Sequence, residues 1–408
     1  MENGVKVSVI MPSLNVAPYI RECLDSVCAQ SLRDIEILCV DAGSTDGTLD
    51  FLRSRAQEDP RVRVIVSERK SYGYQMNLGM RQARGDYIGI VETDDYIAPD
   101  MLQGLYDLAC RHDLDVVKGS FYRFTGDGDE RSFEYAPIAE DKKCGRVLDP
   151  SADPSLMDLK SLYSWAGLYR RAFLEEKGVA HNETPGASYQ DNGFFFQVFS
   201  QARRLYFTKK AYYYLRRDNP NSSINSSAKV YCMCEEYDFI RAFLKKDAAL
   251  EERFAPMCAR WRMYNYDFTF RRVAKQFKRE FMQRYAADFR KLRDAGELSA
   301  ATFSKTELAR LERIMADPDL ACFSELGRAE LFDPPAGETE EDLRLRLRAA
   351  ALALDAETDK NALLRRSAPY RLGKALLWLP DKLRGGVQCV RDHGLGYTLR
   401  LALGRIKH

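Results

Sequence analysis

Three carboxylates crowd the end of a short apolar run in the stretch IVETDDYI, residues 90–97. They belong to Glu92, Asp94 and Asp95. Like charges this close repel one another, and a carboxylate is costly to remove from water. A hard divalent cation such as Mn²⁺ or Mg²⁺ would offset that charge, and proteins commonly hold such ions with one or two carboxylates and the phosphates of a ligand. The cluster suggests a metal that carries a nucleotide diphosphate; the alternative is an acidic turn that caps the next helix.

A second polar turn, VDAGSTDGT at residues 40–48, also follows an apolar run and precedes a helical pattern. Gly43 and Gly47 permit backbone angles that other residues avoid. Asp41 could accept a hydrogen bond from a nucleotide base or a ribose. The turn matches neither the phosphate loop G-x-x-x-x-G-K nor the dinucleotide motif G-x-G-x-x-G. Taken alone, it indicates only a turn.

The elements that must position these residues alternate between strand and helix. The predicted strands are 5–11, 35–40, 62–67, 86–91 and 115–124, and the predicted helices are 16–29, one from Thr48 with Asp46 as its N-cap, 74–84, and one after Pro99 that reaches Arg111. This alternation favours parallel pairing in an α/β layered domain, where ligands bind at the carboxyl ends of the strands. Asp41 and the acidic cluster are therefore expected at one edge of the sheet.

The pattern becomes helical beyond residue 228. We divide the chain into an α/β domain (1–227), a helical domain (228–338), and an amphipathic helix with a basic tail (339–408). The apolar face of that helix is predicted to consist of Leu343, Leu347, Ala350 and Leu354. The tail from Pro369 to His408 has eight Lys or Arg and two Asp, a net charge of 8 − 2 = +6, with Leu and Trp interleaved. Such a segment either lies on an anionic membrane or packs on the protein as a helical hairpin.

Composition narrows the class of protein. The 408 residues carry a net charge of only +2, which gives no support to nucleic-acid binding. The ten cysteines are scattered, and Cys232 and Cys234 have no second pair to complete a zinc site. No apolar run is long enough to span a membrane, and the N-terminus lacks the layout of a signal peptide. We expect a protein of the reducing cytoplasm, with the tail as a candidate for contact with the inner face of the membrane.

Four stretches together resemble the ordered motifs of family 2 glycosyltransferases. They are VSVIMPSLN (7–15), VDAGSTDGT (40–48), ARGDYIGIVETDD (83–95) and YQDNGFFFQVF (189–199). The resemblance covers about residues 5–225 and extends to bacterial enzymes that build surface polysaccharides. It implies a GT-A fold, a Rossmann-like nucleotide-diphospho-sugar transferase domain, here followed by a mostly helical C-terminal region. It also implies an inverting enzyme that moves a sugar from a nucleotide-diphosphate donor, with a UDP-sugar favoured, to a hydroxyl of a glycan or lipid-linked acceptor.

The resemblance also assigns roles to individual residues. The nucleotide-sugar set is Pro12, Ser13, Asn15, Asp41, Ser44, Asn77, Glu92, Thr93 and Arg216; Asp94 and Asp95 are the metal ligands; and Asp191 is the catalytic base. Beyond the resemblance, Arg216 or Arg217 could add a second cation near the diphosphate. For the acceptor we name Gln190 and Trp165, although a tryptophan in this context is more typical of a packed core than of an acceptor platform.

Several positions depart from the family pattern. Ala42 and Gln190 replace carboxylates, Glu92 replaces an aspartate, and Met76 replaces an arginine that many relatives carry. These changes keep a second hypothesis open, in which a catalytically silent GT-A domain serves as a binding or scaffold module. A third hypothesis, a nucleotidyltransferase that makes sugar nucleotides, would need a glycine-rich, lysine-containing loop after the first strand. The segment MPSLNVAPY at that place does not provide one.

Overall fold

The computed structural model describes residues 4–157, 163–220, 229–326 and 339–366, with side chains in the last range as far as residue 353. The chain forms two compact units, residues 1–316 and 317–408. Within the described ranges, no helix combines the length and the apolar character needed to cross a membrane.

In the described part of the first unit, one mixed sheet of ten strands forms the centre. Its strands are β1 (Val7–Ser13), β2 (Ile35–Asp41), β3 (Val62–Val66), β4 (Tyr87–Ile90), β5 (Tyr96–Ile97), β6 (Val116–Thr125), β7 (Ser132–Ala136), β8 (Val147–Leu148), β9 (Gly167–Arg170) and β10 (Leu205–Arg216). The order is β3-β2-β1-β4-β9-β6-β10-β5, with β7 paired to β6 and β8 to β10. The strands β3, β2, β1 and β4 are parallel, as the alternating pattern predicts.

Strands β1 and β2 are buried along their whole length, as is usual for parallel strands covered on both faces. Their register pairs Ser13 with Asp41 at the carboxyl ends. On the other side of β1, the amide of Val91 donates a hydrogen bond to the carbonyl of Ile10. The acidic cluster after β4 therefore lies at the same edge as Asp41, and the predicted convergence is confirmed.

Among the described residues, six helices accompany the sheet: α1 (Ile20–Cys28), α2 (Thr48–Glu58), α3 (Tyr72–Gln82), α4 (Met101–Arg111), α5 (Arg171–Glu176) and α6 (Gln190–Gln201). Helix α2 begins at Thr48 as predicted, but its N-cap is Gly47 and not Asp46, because Gly47 adopts the left-handed conformation that precedes the helix. Asp46 Oδ1 accepts hydrogen bonds from both the amide and the hydroxyl of Thr48. Helix α3 begins two residues earlier than predicted, because Ser71 caps it by accepting a hydrogen bond from the Tyr74 amide.

The region after residue 228 is helical, as predicted. It contributes α7 (Cys232–Leu244), α8 (Ala248–Arg272), α9 (Lys278–Asp294) and α10 (Lys305–Ala316) to the first unit. Inside this bundle Arg262 donates a hydrogen bond to Asp288 (2.6 Å), and Tyr266 donates another to the same oxygen (2.8 Å). A charge this deeply buried is tolerated because it is paired. The division of the chain at residues 227 and 338 stays a prediction.

The second unit contains α11 (Pro318–Ser324) and α12 (Glu340–Arg366). Its core packs Phe323 against Ala349, with Leu345 alongside. The predicted apolar face of α12 is wrong in part, since Leu347 is 71% exposed and Leu343 41% exposed. The residues that α12 buries are Arg346 and Ala349, and Leu345 and Ala350, the latter from the predicted face, pack beside the ring of Phe323. The side chain of Leu354 and the tail 369–408 lie outside the described residues.

Candidate active site

A cleft of about 380 Å³ opens at the carboxyl edge of the sheet. The ends of β1, β4 and β10 line it, together with the segments that precede β9 and α6. Ten of the fourteen predicted site residues lie on its walls: Pro12, Ser13, Glu92, Thr93, Asp94, Asp95, Trp165, Gln190, Asp191 and Arg216. The remaining four, Asn15, Asp41, Ser44 and Asn77, are not among its lining residues.

The three carboxylates of the acidic turn have different surroundings. Glu92 accepts a hydrogen bond from the Tyr72 hydroxyl (2.7 Å), and burial, with Asp94 and Asp191 adding to it, raises the pKa of Glu92 to about 8. Asp95 is buried, and its two oxygens accept hydrogen bonds from the Tyr213 hydroxyl and the Arg216 amide, both at 2.8 Å. Burial raises the pKa of Asp95 as well. Asp95 therefore braces the turn, and its role as a metal ligand stays a prediction.

Asp94 is the carboxylate that remains available to a ligand. One of its oxygens accepts a hydrogen bond from the side-chain amide of Asn219 (2.8 Å), and the other has no hydrogen-bond partner in the part of the chain that the structure describes. Across the described ranges, no three His, Cys, Asp or Glu side chains are grouped so that they could hold a metal ion by themselves. Asp94 fits a metal that takes its other ligands from a bound diphosphate.

Asp191 occupies the second position of α6, on the wall of the same cleft. Tyr189 just before the helix adopts a left-handed backbone conformation with φ of 64°, which turns the chain sharply into α6. Burial raises the pKa of Asp191 to about 6, opposed by the neighbouring backbone amides and by Lys118. The carboxylate is therefore ionised at neutral pH but remains a stronger base than an exposed aspartate.

Lys118, on β6, is a buried cation beneath the cleft that the motifs did not reveal. Its ammonium donates hydrogen bonds to the carbonyls of Tyr163 and Trp165 (3.1 Å to the latter) and to the Tyr169 hydroxyl (3.2 Å). Burial lowers the pKa of Lys118 to about 7, although Asp191 acts against this. The sequence does hold one sign of this residue, a lysine inside the apolar strand DVVKGSFYRF. Because an unpaired lysine is seldom fully buried, a lysine at such a position indicates a specific role.

Asp41 organises the turn after β2. It is fully buried and accepts four hydrogen bonds at 2.6–2.9 Å, from the hydroxyls of Ser13 and Ser44 and from the amides of Gly43 and Ser44. Asn15 joins the loop after β1 to the same turn. Its backbone amide donates a hydrogen bond to the Ser44 hydroxyl, and its side-chain oxygen accepts one from the Thr45 backbone amide. These residues shape the loop that carries Pro12 and Ser13 into the cleft.

Asn77 on α3 holds the segment after α5. Its side chain donates hydrogen bonds to the His181 carbonyl (2.9 Å) and to Glu183 (3.0 Å), and it accepts one from the His181 amide (2.8 Å). All of its polar atoms are thus used inside the protein, so the structure does not bring Asn77 to the predicted nucleotide-sugar site.

The neighbouring arginines at the end of β10 have different surroundings. The Arg216 guanidinium is buried and donates hydrogen bonds to the carboxylates of Glu22, Asp127 and Asp218 at 3.1–3.4 Å and to the Asp94 carbonyl. It is committed to fixing the acidic turn. Arg217 is exposed on the wall of the cleft, and its guanidinium has no hydrogen bond or ion pair to the residues that the structure describes. Arg217 is the better candidate for a free cation.

Comparison with known proteins decides the family. Residues 8–188 match the family described as glycosyl transferase family 2. The chain contains a family 2 glycosyltransferase domain. The predicted recognition is confirmed, and the matched range covers the strand ends that carry Ser13, Asp41 and Asp94. Asp191 lies three residues beyond it.

Two curated bacterial relatives show how far the similarity reaches. The uncharacterised glycosyltransferase EpsJ of Bacillus subtilis is 34% identical over 53% of this chain and 62% of its own length. The poly(ribitol-phosphate) beta-glucosyltransferase of Bacillus spizizenii is 28% identical over 54% of this chain and 34% of its own length. This chain thus spans less than two thirds of either relative.

Solved structures agree on the fold. Residues 1–349 of S. aureus TarS, in complex with UDP-GlcNAc, match with a TM-score of 0.60 and 20% identity, over 79% of this chain and 90% of that one. At this identity the match speaks for the fold, and the predicted GT-A architecture with a helical C-terminal region is confirmed.

Two departures from the family 2 pattern have structural explanations. Gln190 is buried; its oxygen accepts a hydrogen bond from the Ser188 amide (2.5 Å) and its nitrogen donates to Thr184 and Gly186. It therefore braces the loop before α6 rather than presenting an amide to an acceptor. Glu92 uses its longer side chain to reach Tyr72, which stands on α3.

Trp165 belongs to the aromatic core beneath the cleft. Tyr163 stacks on one side (ring centres 4.3 Å apart) and Tyr213 on another (4.6 Å), while Phe121 meets it edge-on. Only 5% of the residue is exposed, so core packing explains Trp165, and its acceptor role stays a prediction.

Proposed function

We propose that this chain is an inverting glycosyltransferase. It takes a sugar from a nucleotide-diphosphate donor and transfers it to a hydroxyl of a glycan or lipid-linked acceptor, in the synthesis of a bacterial surface polysaccharide. The observation that carries the proposal is that Asp191 and Asp94 both line the same cleft. Asp191 is a half-buried carboxylate with a raised pKa, and Asp94 has an oxygen that no described residue binds.

Asp191 acts as the general base. An acceptor hydroxyl is a poor nucleophile until its proton is removed, and a carboxylate with a pKa near 6 is ionised at neutral pH yet basic enough to share that proton as the new bond forms. Attack on the face of the sugar opposite the leaving diphosphate inverts the anomeric centre. Lys118 below the cleft adds a positive charge that favours the ionised form of Asp191.

Asp94 would hold a divalent metal, Mn²⁺ or Mg²⁺, which when bound neutralises charge on the departing diphosphate. Two side chains of this protein supplement that role. Arg217 and Lys70 are exposed and line the cleft, where they can approach phosphate oxygens. The half-buried carboxyl of Glu92, with its pKa of about 8, is largely uncharged at neutral pH and so repels the diphosphate less.

UDP is the favoured nucleotide. The TarS structure that shares this fold was solved with UDP-GlcNAc, and the family 2 match covers the first strand and its loop. The backbone of Ser13 and the neighbouring Pro12, fixed through Thr93 and Gln75, form the wall against which a base would pack.

The acceptor is proposed to lie near the cytoplasmic face of the cell membrane. Support comes from the sequence, since residues 369–408 carry a net charge of +6 with interleaved Leu and Trp. One relative bears the name of a poly(ribitol-phosphate) glucosyltransferase, a polymer-modifying activity consistent with a glycan or lipid-linked acceptor.

Release of UDP from a panel of UDP-sugars tests the proposal. Wild-type protein should turn over one donor, and D191N should lower kcat by about 10²–10⁴-fold while leaving donor affinity nearly unchanged. The amide introduced by D191N is close in shape to the carboxylate, so loss of turnover would report loss of the base. Equal turnover by wild type and D191N would remove Asp191 from the mechanism.

A further inference from the structure

Helices α7 and α8 form hydrogen bonds to the segment that carries Asp191. Both helices lie outside the residues that match family 2. Three hydrogen bonds make this connection: Gly193 N to Glu236 Oε1 (2.7 Å), Asn265 Nδ2 to Asn192 Oδ1 (3.3 Å) and an Arg272 guanidinium nitrogen to the Tyr189 hydroxyl (3.2 Å). They flank Asp191 on both sides along the chain. The first is the shortest and involves a buried carboxyl group.

Glu236 is only 1% exposed and is not used by the proposed mechanism. Its second oxygen accepts a hydrogen bond from the Asn182 side chain (3.1 Å), so both oxygens are engaged. Burial, with the charge of Asp191 adding to it, raises the pKa of Glu236 to about 8. A carboxyl group buried at such a cost in solvation needs a specific function to explain it.

Gly193 shows how tightly the contact is built. A Cβ atom at this position would lie 2.3 Å from Glu236 Oε1 and 2.9 Å from the ring of Phe239. The close approach of α6 to α7 therefore requires glycine two residues after Asp191. Any side chain there would push the first turn of α6 away from Glu236.

We propose that Glu236 is a positioning residue for Asp191. By accepting the Gly193 amide hydrogen bond, it fixes the first turn of α6 so that the Asp191 carboxylate faces the cleft. The inference rests on the proposed function, in which Asp191 is the base. Small displacements of a reacting group are costly, since a shift of about 1 Å can lower a rate by roughly 10²-fold. The helices α7 and α8 would thus be part of the catalytic apparatus rather than an appendage.

Four variants separate positioning from general stability. E236A removes both hydrogen bonds, and G193A disturbs the same contact from the other side. E236Q keeps an oxygen for the Gly193 amide and resembles the uncharged form of Glu236; a rotated Asn182 amide can accept from its nitrogen. E235Q is the matched control, because Glu235 is the preceding residue of α7 and is exposed.

Steady-state kinetics give the first test. E236A and G193A should lose kcat by about tenfold or more while KM for the donor stays within about threefold, since the donor site is untouched. E236Q should restore kcat to within about threefold of wild type, and E235Q should match wild type. A folded E236A with wild-type kcat, or an E236Q as impaired as E236A, would overturn the proposal.

Amide hydrogen exchange across residues 189–195 gives a second test that needs no activity. Exchange should be faster by about tenfold or more in E236A and G193A and unchanged in E235Q. If wild type turned over no donor, the proposed function would fail while this measurement still tested the contact. Unchanged exchange in E236A would overturn the inference whatever the kinetics showed.

Discussion

Asp191 and Glu92 contribute carboxyl groups to one cleft, yet their surroundings raise their pKa values to different levels, about 6 and about 8. Burial is the main cause for both. Asp191 is also stabilised in its ionised form by backbone amides and Lys118, whereas Glu92 has nearby carboxylates that oppose its ionisation. At neutral pH one group is thus charged and the other mostly neutral, which separates a base from a hydrogen-bonding group.

The pH dependence of turnover follows from this difference. Because Asp191 must be ionised to accept a proton, kcat/KM should fall as pH drops through about 6, and it should level off above pH 7. A donor-turnover profile from pH 5 to pH 8 measures this limb. D191N serves as the control, since its residual rate should show no such limb. A wild-type rate independent of pH between 5 and 7 would contradict the assignment.

Substitution of Arg216 and of Arg217 should have different effects, one on protein stability and the other on nucleotide binding. R217A should weaken UDP binding by about tenfold with no change in thermal stability, because its exposed guanidinium has no partner among the described residues. R216A should lower the free energy of unfolding by about 2 kcal/mol, since Glu22 and the Asp94 backbone lose a buried partner. Calorimetry and thermal unfolding distinguish the two. If R216A were as stable as wild type and lost UDP binding to the same extent as R217A, the assignment of a structural role to Arg216 would be contradicted.

At the scale of the elements, much of the first unit could be predicted from the sequence. The strands coincide with apolar runs, and α1 places Ile20, Leu24 and Val27 on one buried stripe. The spacing of apolar residues along the sequence is therefore enough to predict both kinds of element. The start of α2 at Thr48 was predictable from local residues, although its N-cap is Gly47 and not the predicted Asp46. The face that α12 buries was not, because it depends on a ring contributed by α11.

Ten of the fourteen predicted site residues lie on the cleft, but the contacts that they make could not be predicted from the sequence. Trp165 and Gln190 do reach the cleft, but what they touch depends on Tyr163, Tyr213 and the loop before α6. Glu236 lies 45 positions after Asp191 in the chain, and no motif marks it. Long-range contacts of this kind have no local signature in a single sequence.

The turn after β2 carries a prediction about stability. D41A should lower the free energy of unfolding by about 3 kcal/mol, because two amides and two hydroxyls lose a buried acceptor. Donor affinity should fall with it as the loop loosens. D50A on the exposed side of α2 is the control and should stay within about 0.5 kcal/mol of wild type. Denaturant unfolding measures both, and an unperturbed D41A would show that the turn does not depend on this carboxylate.

At the scale of the molecule, the proposed chemistry is divided between residues inside and residues outside the family 2 match. The strand ends within residues 8–188 provide the donor side of the cleft, while α6 supplies the base and α7 and α8 hold it. This division explains why the family match alone does not contain the whole site. The second unit, residues 317–408, has its own small core.

The basic tail gives a prediction that concerns the whole chain. Full-length protein should sediment with vesicles that contain anionic lipid, and deletion of residues 369–408 should abolish this by removing a net charge of +6 and several Leu and Trp side chains. UDP binding should survive the deletion, which serves as the internal control for folding. Equal sedimentation of both proteins would remove the membrane from the proposal.

Calorimetric titration of UDP, with GDP and CDP in parallel, tests the donor site most directly. It should be performed on the full chain with and without Mn²⁺, for wild type and for D94N, whose side chain is close in shape. We predict binding of one nucleotide that needs Mn²⁺ and weakens by about tenfold or more in D94N. Equal binding by D94N would contradict the role of Asp94, and folded wild-type protein that binds no nucleotide would contradict the enzyme and favour a scaffold.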